Sequence, residues 1–285
     1  MHALTALGRW RKIITSIVHS MGLVNLMRLV YLRLMGQVGR GESIAMKKIL
    51  ICVYTCEADR HMLEEFNLSP IGIFLRKMPG ANLVYVYADP DIPSSFHRGQ
   101  ELFLRSPERY DALSLKTAEM IKYAVHNFEF HRLVKIDVTC VRTDFSARGY
   151  EGRVALDIEK LVCFLSCADP VEDYDGFILH AGANRENAEA WAAKKGGIID
   201  YSRLFGDGPM PPFFSGKCYV LSRKFAEFVA EFGSSVAHEH SVYMLGSEDT
   251  MVGRLYQMFQ NAVWPLATSE PIVDVPTAGP CDGEL

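Results

Sequence analysis

The chain lacks both common glycine-rich phosphate loops: neither Gly-x-Gly-x-x-Gly nor a Walker loop occurs in its 285 residues. A dinucleotide-dependent redox enzyme and a P-loop phosphotransferase are therefore disfavoured. It also lacks an excess of positive charge. A net charge of −4 and a pI near 6.1 argue against nucleic-acid binding, which needs a basic surface to displace counterions. Cysteine is sparse and odd in number, seven in all (52, 56, 140, 163, 167, 218, 281), which excludes the dense disulfide framework of small secreted domains and favours a reducing compartment. Cys52 with Cys56, and Cys163 with Cys167, stand four apart, a spacing open to a four-thiolate metal site or to small buried apolar residues. No internal repeat or low-complexity tract occurs.

Acids are missing from the first 41 residues, which carry Arg9, Arg11, Lys12, Arg28, Arg33 and Arg40 before the first carboxylate at Glu42. Ile13–Met35 is strongly apolar, but His19, Arg28 and Arg33 make it a poor membrane span of the required length of about 20 residues. No convincing cleavage site follows it. Residues 1–45 therefore form a separate basic apolar helical segment. Its readings are attachment in the plane of an anionic membrane surface, a signal anchor, a helix packed on the main domain, or an extension upstream of a start at Met46.

Residues 46–285 suffice for one α/β domain, since the chain is 49% hydrophobic and 22% charged. Lys48–Tyr54 is a continuous apolar run of strand length, suited to a buried parallel strand. A helix fits residues 60–78, and a second strand Ala81–Ala88 is bounded by Pro79-Gly80 and by Pro90 and Pro93. Pro107–Phe130 is helical by period, with Lys116 beside its apolar face, and leads into the strand 133–137. Further on, the pattern predicts a helix near 153–167, a strand Gly176–Ala181, a helix Asn184–Lys195, a loop 206–212, an amphipathic helix Ser222–Phe232 and a helix Glu248–Gln260. Phe225, Phe228, Val229 and Phe232 form one stripe of the fifth of these six elements.

The strand Leu133-Val134-Lys135-Ile136-Asp137 ends on a carboxylate. In an open α/β sheet, ligands bind beyond the carboxyl ends of the strands, so Asp137 faces a crevice rather than only solvent. Four segments carry a resemblance: Tyr110-Asp111-Ala112-Leu113-Ser114-Leu115-Lys116-Thr117, then Lys135-Ile136-Asp137, then Phe213-Phe214-Ser215-Gly216-Lys217-Cys218-Tyr219-Val220-Leu221-Ser222, then Glu248-Asp249-Thr250-Met251-Val252-Gly253. In order and spacing, over about residues 48–260, they resemble glycosyltransferase family 31, the β-1,3-galactosyl- and N-acetylglucosaminyltransferases. The resemblance implies a single GT-A-type, Rossmann-like mixed sheet flanked by helices. It implies an inverting transfer of a sugar from a nucleoside diphosphate, UDP foremost, to a hydroxyl of a glycan or lipid-linked acceptor in polysaccharide synthesis. The alternative is a non-catalytic member of the same fold that binds a nucleotide sugar or glycan as a partner or scaffold.

By that resemblance Asp249 matches the base that takes the acceptor proton. Read alone, Asp249 is a first-turn helix acid favoured by the macrodipole. Thr55, Lys116, Lys135, Asp137 and Thr139 fall on the nucleotide side, and Ser215, Gly216, Lys217 and Glu248 around the sugar and leaving group. The family's Lys-Thr-Asp-Asp-Asp is matched at 135–139, with Val138 and Thr139 in place of the second and third acids. The third acid is the family's ligand for Mn2+ or Mg2+, and a threonine hydroxyl is a poorer partner for a hard cation. No histidine follows His240, where the family supplies another ligand. Asp137 is thus the remaining candidate ligand, and metal-independent operation is expected, with Lys217, Lys135 or Arg142 neutralising the leaving diphosphate. The family's Ser-Gly-Gly-Gly-Tyr becomes Ser215-Gly216-Lys217-Cys218-Tyr219. His238-Glu239-His240 is a second candidate metal cluster if it lies on a strand, where i and i+2 share a face. A cytoplasmic location, peripheral at the inner membrane face, follows from the basic segment.

Overall fold

The computed structural model describes residues 48–55, 59–141, 173–176 and 179–267. The basic segment 1–45, the helix expected near 153–167, and Cys56, Cys163, Cys167, Arg142 and Cys281 lie outside them. Among the described residues no helix is long and apolar enough to cross a membrane.

The apolar run at the start becomes β1 (Ile49–Tyr54), buried at every position. Alternate residues serve opposite layers. Leu50, Cys52 and Tyr54 face one apolar cluster, and Ile49, Ile51 and Val53 face another. That two-sided burial is why the strand reads as unbroken hydrophobicity. It is followed by α1 (Met62–Leu68), α2 (Pro70–Lys77), β2 (Ala81–Ala88), β3 (Phe96–Arg98), β4 (Glu101–Leu104), α3 (Leu113–Asn127) and β5 (Arg132–Asp137). The second half holds β6 (Tyr174–Gly176), β7 (Leu179–His180), α4 (Arg185–Lys194), α5 (Tyr201–Phe205), β8 (Phe213–Phe214), β9 (Cys218–Ser222), α6 (Arg223–Tyr243) and α7 (Glu248–Ala267).

Seven strands form one mixed sheet in the order β3-β4-β2-β1-β5-β9-β6. β4, β2, β1 and β5 are mutually parallel, β9 runs antiparallel to β5, and β6 antiparallel to β9. The sheet is mostly parallel and flanked by helices on both faces, compatible with a Rossmann-like fold. Helices α1 and α2 cover one face through Met62, Phe66, Ile71 and Leu75. Helices α3, α6 and α7 cover the other through Met120, Ile121, Phe225, Val229, Val252 and Leu255. The chain leaves β1 toward β2 on one side and returns to β5 on the other, so the sheet has its topological switch point between β1 and β5.

Several expectations need correction. The helix over 60–78 is two helices, because Ser69 is extended (φ −68°, ψ 155°) and Pro70 opens the second one. The helix expected from Pro107 starts only at Leu113, after a 3-10 turn Tyr110–Ala112, and ends at Asn127. The strand Gly176–Ala181 is two short strands in different sheets, β6 in the large one and β7 paired with β8. The helix Ser222–Phe232 runs on to Tyr243 with Ser222 as its N-cap, and Phe232 is 44% exposed rather than part of the buried stripe. The β3–β4 hairpin, α5 and β9 carry no clear periodic signal, being short or enclosed in a motif.

Candidate functional site

The C-terminal ends of β1 and β5 lie side by side, Tyr54 in register with Asp137. On β5, Leu133 joins the cluster under α3, α6 and α7, while Val134 and Ile136 join the opposite one. Lys135, which alternates with Leu133, therefore points into the helical layer, where a charge needs partners. It has several. Its ammonium donates to Glu248 Oε1 at 2.6 Å and to the Gly216 carbonyl, and lies 4.7 Å from the Tyr54 ring and 5.8 Å from the Tyr219 ring. Burial opposes the charge on Lys135. The carboxylates of Glu248, Asp137 and Asp249 outweigh it, and Lys135 ends above its ordinary lysine value, held charged.

Burial raises the Glu248 carboxyl above its ordinary value, opposed by Lys135 and by the N-terminus of the 20-residue helix α7 that Glu248 opens. The launching turn is tightly built. Gly246 has φ +69° and a Cβ there would strike the Asp111 backbone, so glycine is required on both counts. Ser114 N donates to the Gly246 carbonyl at 3.0 Å, and Ser241 Oγ to the Asp111 carbonyl at 2.8 Å. Leu245, at φ 50°, is the described non-glycine residue with positive φ, a backbone cost placed next to the candidate site.

Asp249 is half-buried in the first turn of α7. Ser247 Oγ donates to its Oδ1 at 2.7 Å and Thr250 N at 2.9 Å, which fixes the carboxylate plane. Among the described residues its Oδ2 receives a long contact from Gly216 N, at 3.5 Å, and a carboxylate oxygen has further lone pairs to offer. Gly216 is confined as well, since a Cβ at this position would run into the Glu248 carboxylate. Ser215 Oγ accepts from Lys217 N at 3.4 Å, and the Lys217 carbonyl accepts from Asp137 N at 2.9 Å. The 215–217 loop is thus pinned between the end of β5 and the start of α7.

Asp137 is half-buried. Its Oδ1 accepts from both Thr139 N (2.8 Å) and Thr139 Oγ1 (2.7 Å), so Thr139 holds the acid in place instead of adding a second one. One oxygen of Asp137 accepts from Thr139, and among the described residues no group of three His, Cys, Asp or Glu side chains gathers around it. The second candidate cluster does not lie on a strand. His238 and His240 lie on α6, so two residues apart they point to different sides: His238 is exposed and His240 buried. Cys52, Cys140 and Cys218 are buried free thiols, and burial raises all three, Cys218 to about 12, so none is a ready thiolate ligand.

Lys116 is neither solvated nor facing open crevice. Its side chain is 2% exposed and its ammonium bonds the Thr55 carbonyl (2.7 Å) and both oxygens of Glu108 (2.8 and 3.0 Å). Lys217 is buried at 9% exposure, and its charge reaches the Cys140 thiol beyond the end of β5. The structure therefore brings Thr55, Lys116, Lys135, Asp137, Thr139, Ser215, Gly216, Lys217, Glu248 and Asp249 to one edge of the sheet. Sequence reasoning misses Glu108, Tyr54 and Tyr219, which complete the buried polar layer beneath that edge. The available signal for Tyr54 is a phenol at the last position of an otherwise aliphatic strand. Glu108 gives none, because its partner is eight residues away across a loop. Compared with protein-family models and with curated proteins, the chain finds no match.

Proposed function

We propose that the chain is an inverting glycosyltransferase of the GT-A type, similar to glycosyltransferase family 31, that moves a sugar from a nucleoside diphosphate donor, UDP-sugar foremost, to a hydroxyl of a glycan or lipid-linked acceptor. The observation that carries this is the convergence of three of the motif segments, up to 113 residues apart, through the Lys135–Glu248, Gly216–Asp249 and Asp137–Lys217 contacts at the switch point. Asp249 offers the less engaged oxygen, Oδ2, to the acceptor hydroxyl. As that proton passes to Asp249, the acceptor oxygen attacks the anomeric carbon from the face opposite the diphosphate. The carbon–oxygen bond to the phosphate breaks, and its electron pair leaves with the nucleotide. Lys217 is the candidate fixed cation for steadying the departing charge. The cytoplasmic, membrane-peripheral placement rests on residues 1–45 alone.

Binding without turnover is the second reading. Its support is that Lys116 and Lys135 are both already paired, with Glu108 and Glu248. One experiment separates the two: a nucleotide-sugar panel read by thermal shift, donor hydrolysis and transfer, with manganese and with chelator. Asp249→Asn is expected to keep donor binding and lower kcat by about 10²–10⁴-fold, and wild-type turnover is expected to survive chelation. Turnover undiminished in Asp249→Asn removes the base. Collapse under chelator returns Asp137 to the role of ligand, and stabilisation by nucleotide with no transfer supports the binding-only reading.

A further inference from the structure

Glu108 has no part in the chemistry above, yet it sits in the loop between β4 and α3 with its side chain only 19% exposed. Its Oε2 accepts from the backbone N of Ala88, the last residue of β2, at 2.6 Å. Both its oxygens accept from Lys116 Nζ, in the first turns of α3, and the same ammonium donates to the Thr55 carbonyl just past β1. Three acceptor oxygens within 3.0 Å match the three donors of an ammonium. The Tyr54 ring lies 5.3 Å beneath it, and Tyr54 OH donates to Thr117 Oγ1 at 3.0 Å. Thr55 N in turn donates to the Val86 carbonyl at 3.3 Å. One ion pair thus joins the ends of β1 and β2, the loop after β4 and the start of α3.

We propose that Glu108 and Lys116 form a clasp that presets the ends of β1 and β2 for the nucleoside half of the donor, acting through the Thr55 and Ala88 backbone rather than through a Lys116–phosphate contact. The inference rests on the nucleotide-sugar reading. With the reacting groups Asp137 and Asp249 on the β5 side, a donor spanning the edge lays its nucleoside toward β1 and β2. A Lys116 reaching for phosphate would abandon Glu108, leaving a largely buried carboxylate without its counter-charge and held by the Ala88 amide. Glu108 and Lys116 are positioning residues. Without the clasp, the competent arrangement of the two strand ends is populated less, and affinity falls in proportion.

The test compares UDP with uridine, by calorimetry and ligand-observed NMR, on the full chain and on Glu108→Ala, Lys116→Met and the double variant. Each single variant is expected to weaken UDP and uridine by the same factor, about tenfold if a tenth of the molecules remain competent, and the double variant no further. A loss confined to UDP, with uridine unchanged, makes Lys116 a phosphate contact and overturns the proposal. So do additive losses in the double variant. Amide hydrogen exchange on the unliganded protein reads the clasp without any nucleotide. Exchange at Thr55 and Ala88 should rise in both single variants while the β5 amides stay protected, and unchanged protection at Thr55 and Ala88 overturns the clasp. Wild-type protein that binds neither UDP nor uridine overturns the nucleoside assignment together with the donor reading, and the exchange data then still decide the clasp.

Discussion

Lys135 occupies a strand position where its neighbours in the alternating pattern are core residues, and its charge survives there only because Glu248, Gly216 and two aromatic rings meet it. Breaking a buried pair from one side leaves an uncompensated charge, whereas replacing both partners with apolar groups often costs little. Lys135→Met is therefore expected to lower unfolding stability by about 3–5 kcal/mol, and Lys135→Met with Glu248→Leu to recover most of it, measured by urea denaturation. A double variant no more stable than the single one would show that the pair is not the unit described. The same geometry accounts for the altered glycine segment. Gly216 must stay small because the Glu248 carboxylate fills the space of a Cβ, while Cys218 fits because its side chain enters the core under α1 and α2. The sequence marks Lys135, Gly216 and Glu248 as neighbours of a site. That they touch one another is invisible in it, because the partners come from different strands and helices.

Among the elements, the strands were legible where two-sided burial makes the run continuous, as in β1, or where proline and glycine bound it, as in β2, and the long helices where the apolar stripe persists. Errors fall where local chemistry competes with that pattern. At Ser69-Pro70 the proline ends one helix and starts another, and the Ser69 side chain accepts from Gly72 N at 3.0 Å to cap the second. Ser69→Ala is expected to cost about 1 kcal/mol, read as a lower urea midpoint with unchanged slope. No change in midpoint would mean that Pro70 alone sets the boundary. In α6 His240 continues the helical stripe with Val236 and Ala237 on the buried side, while His238 falls on the exposed side. The strand alternative arises only when the triplet is viewed without its flanks.

For the whole molecule, acid stability has a buried sensor in His240, whose ring lies edge-on to Phe205 and 3.3 Å from Thr250 Oγ1 through Nδ1. Burial, aided by Arg254, lowers its pKa from 6.5 to about 3. Between those values the unfolded chain binds a proton that the folded one refuses. Stability from this group is complete above 6.5 and falls as pH drops toward 3, by at most about 1.4 kcal/mol per pH unit. His240→Leu should flatten the stability-versus-pH curve in that window, measured by urea unfolding at several pH values. A slope as steep as the wild type's would assign the acid sensitivity to the carboxylates instead. The sequence by itself determined the α/β class, the order of the main strands and helices, and the acid-ended strand at Asp137, because these follow from short-range periodicity and from which residues must leave water. The tertiary structure alone decided that Lys116 and Lys135 are clasped by Glu108 and Glu248, that Thr139 braces Asp137, and that Asp249 faces Gly216. The Thr139 brace is local, but Lys135–Glu248 and Gly216–Asp249 join residues 113 and 33 apart, where the folding of the sheet sets the neighbours and sequence distance carries no information.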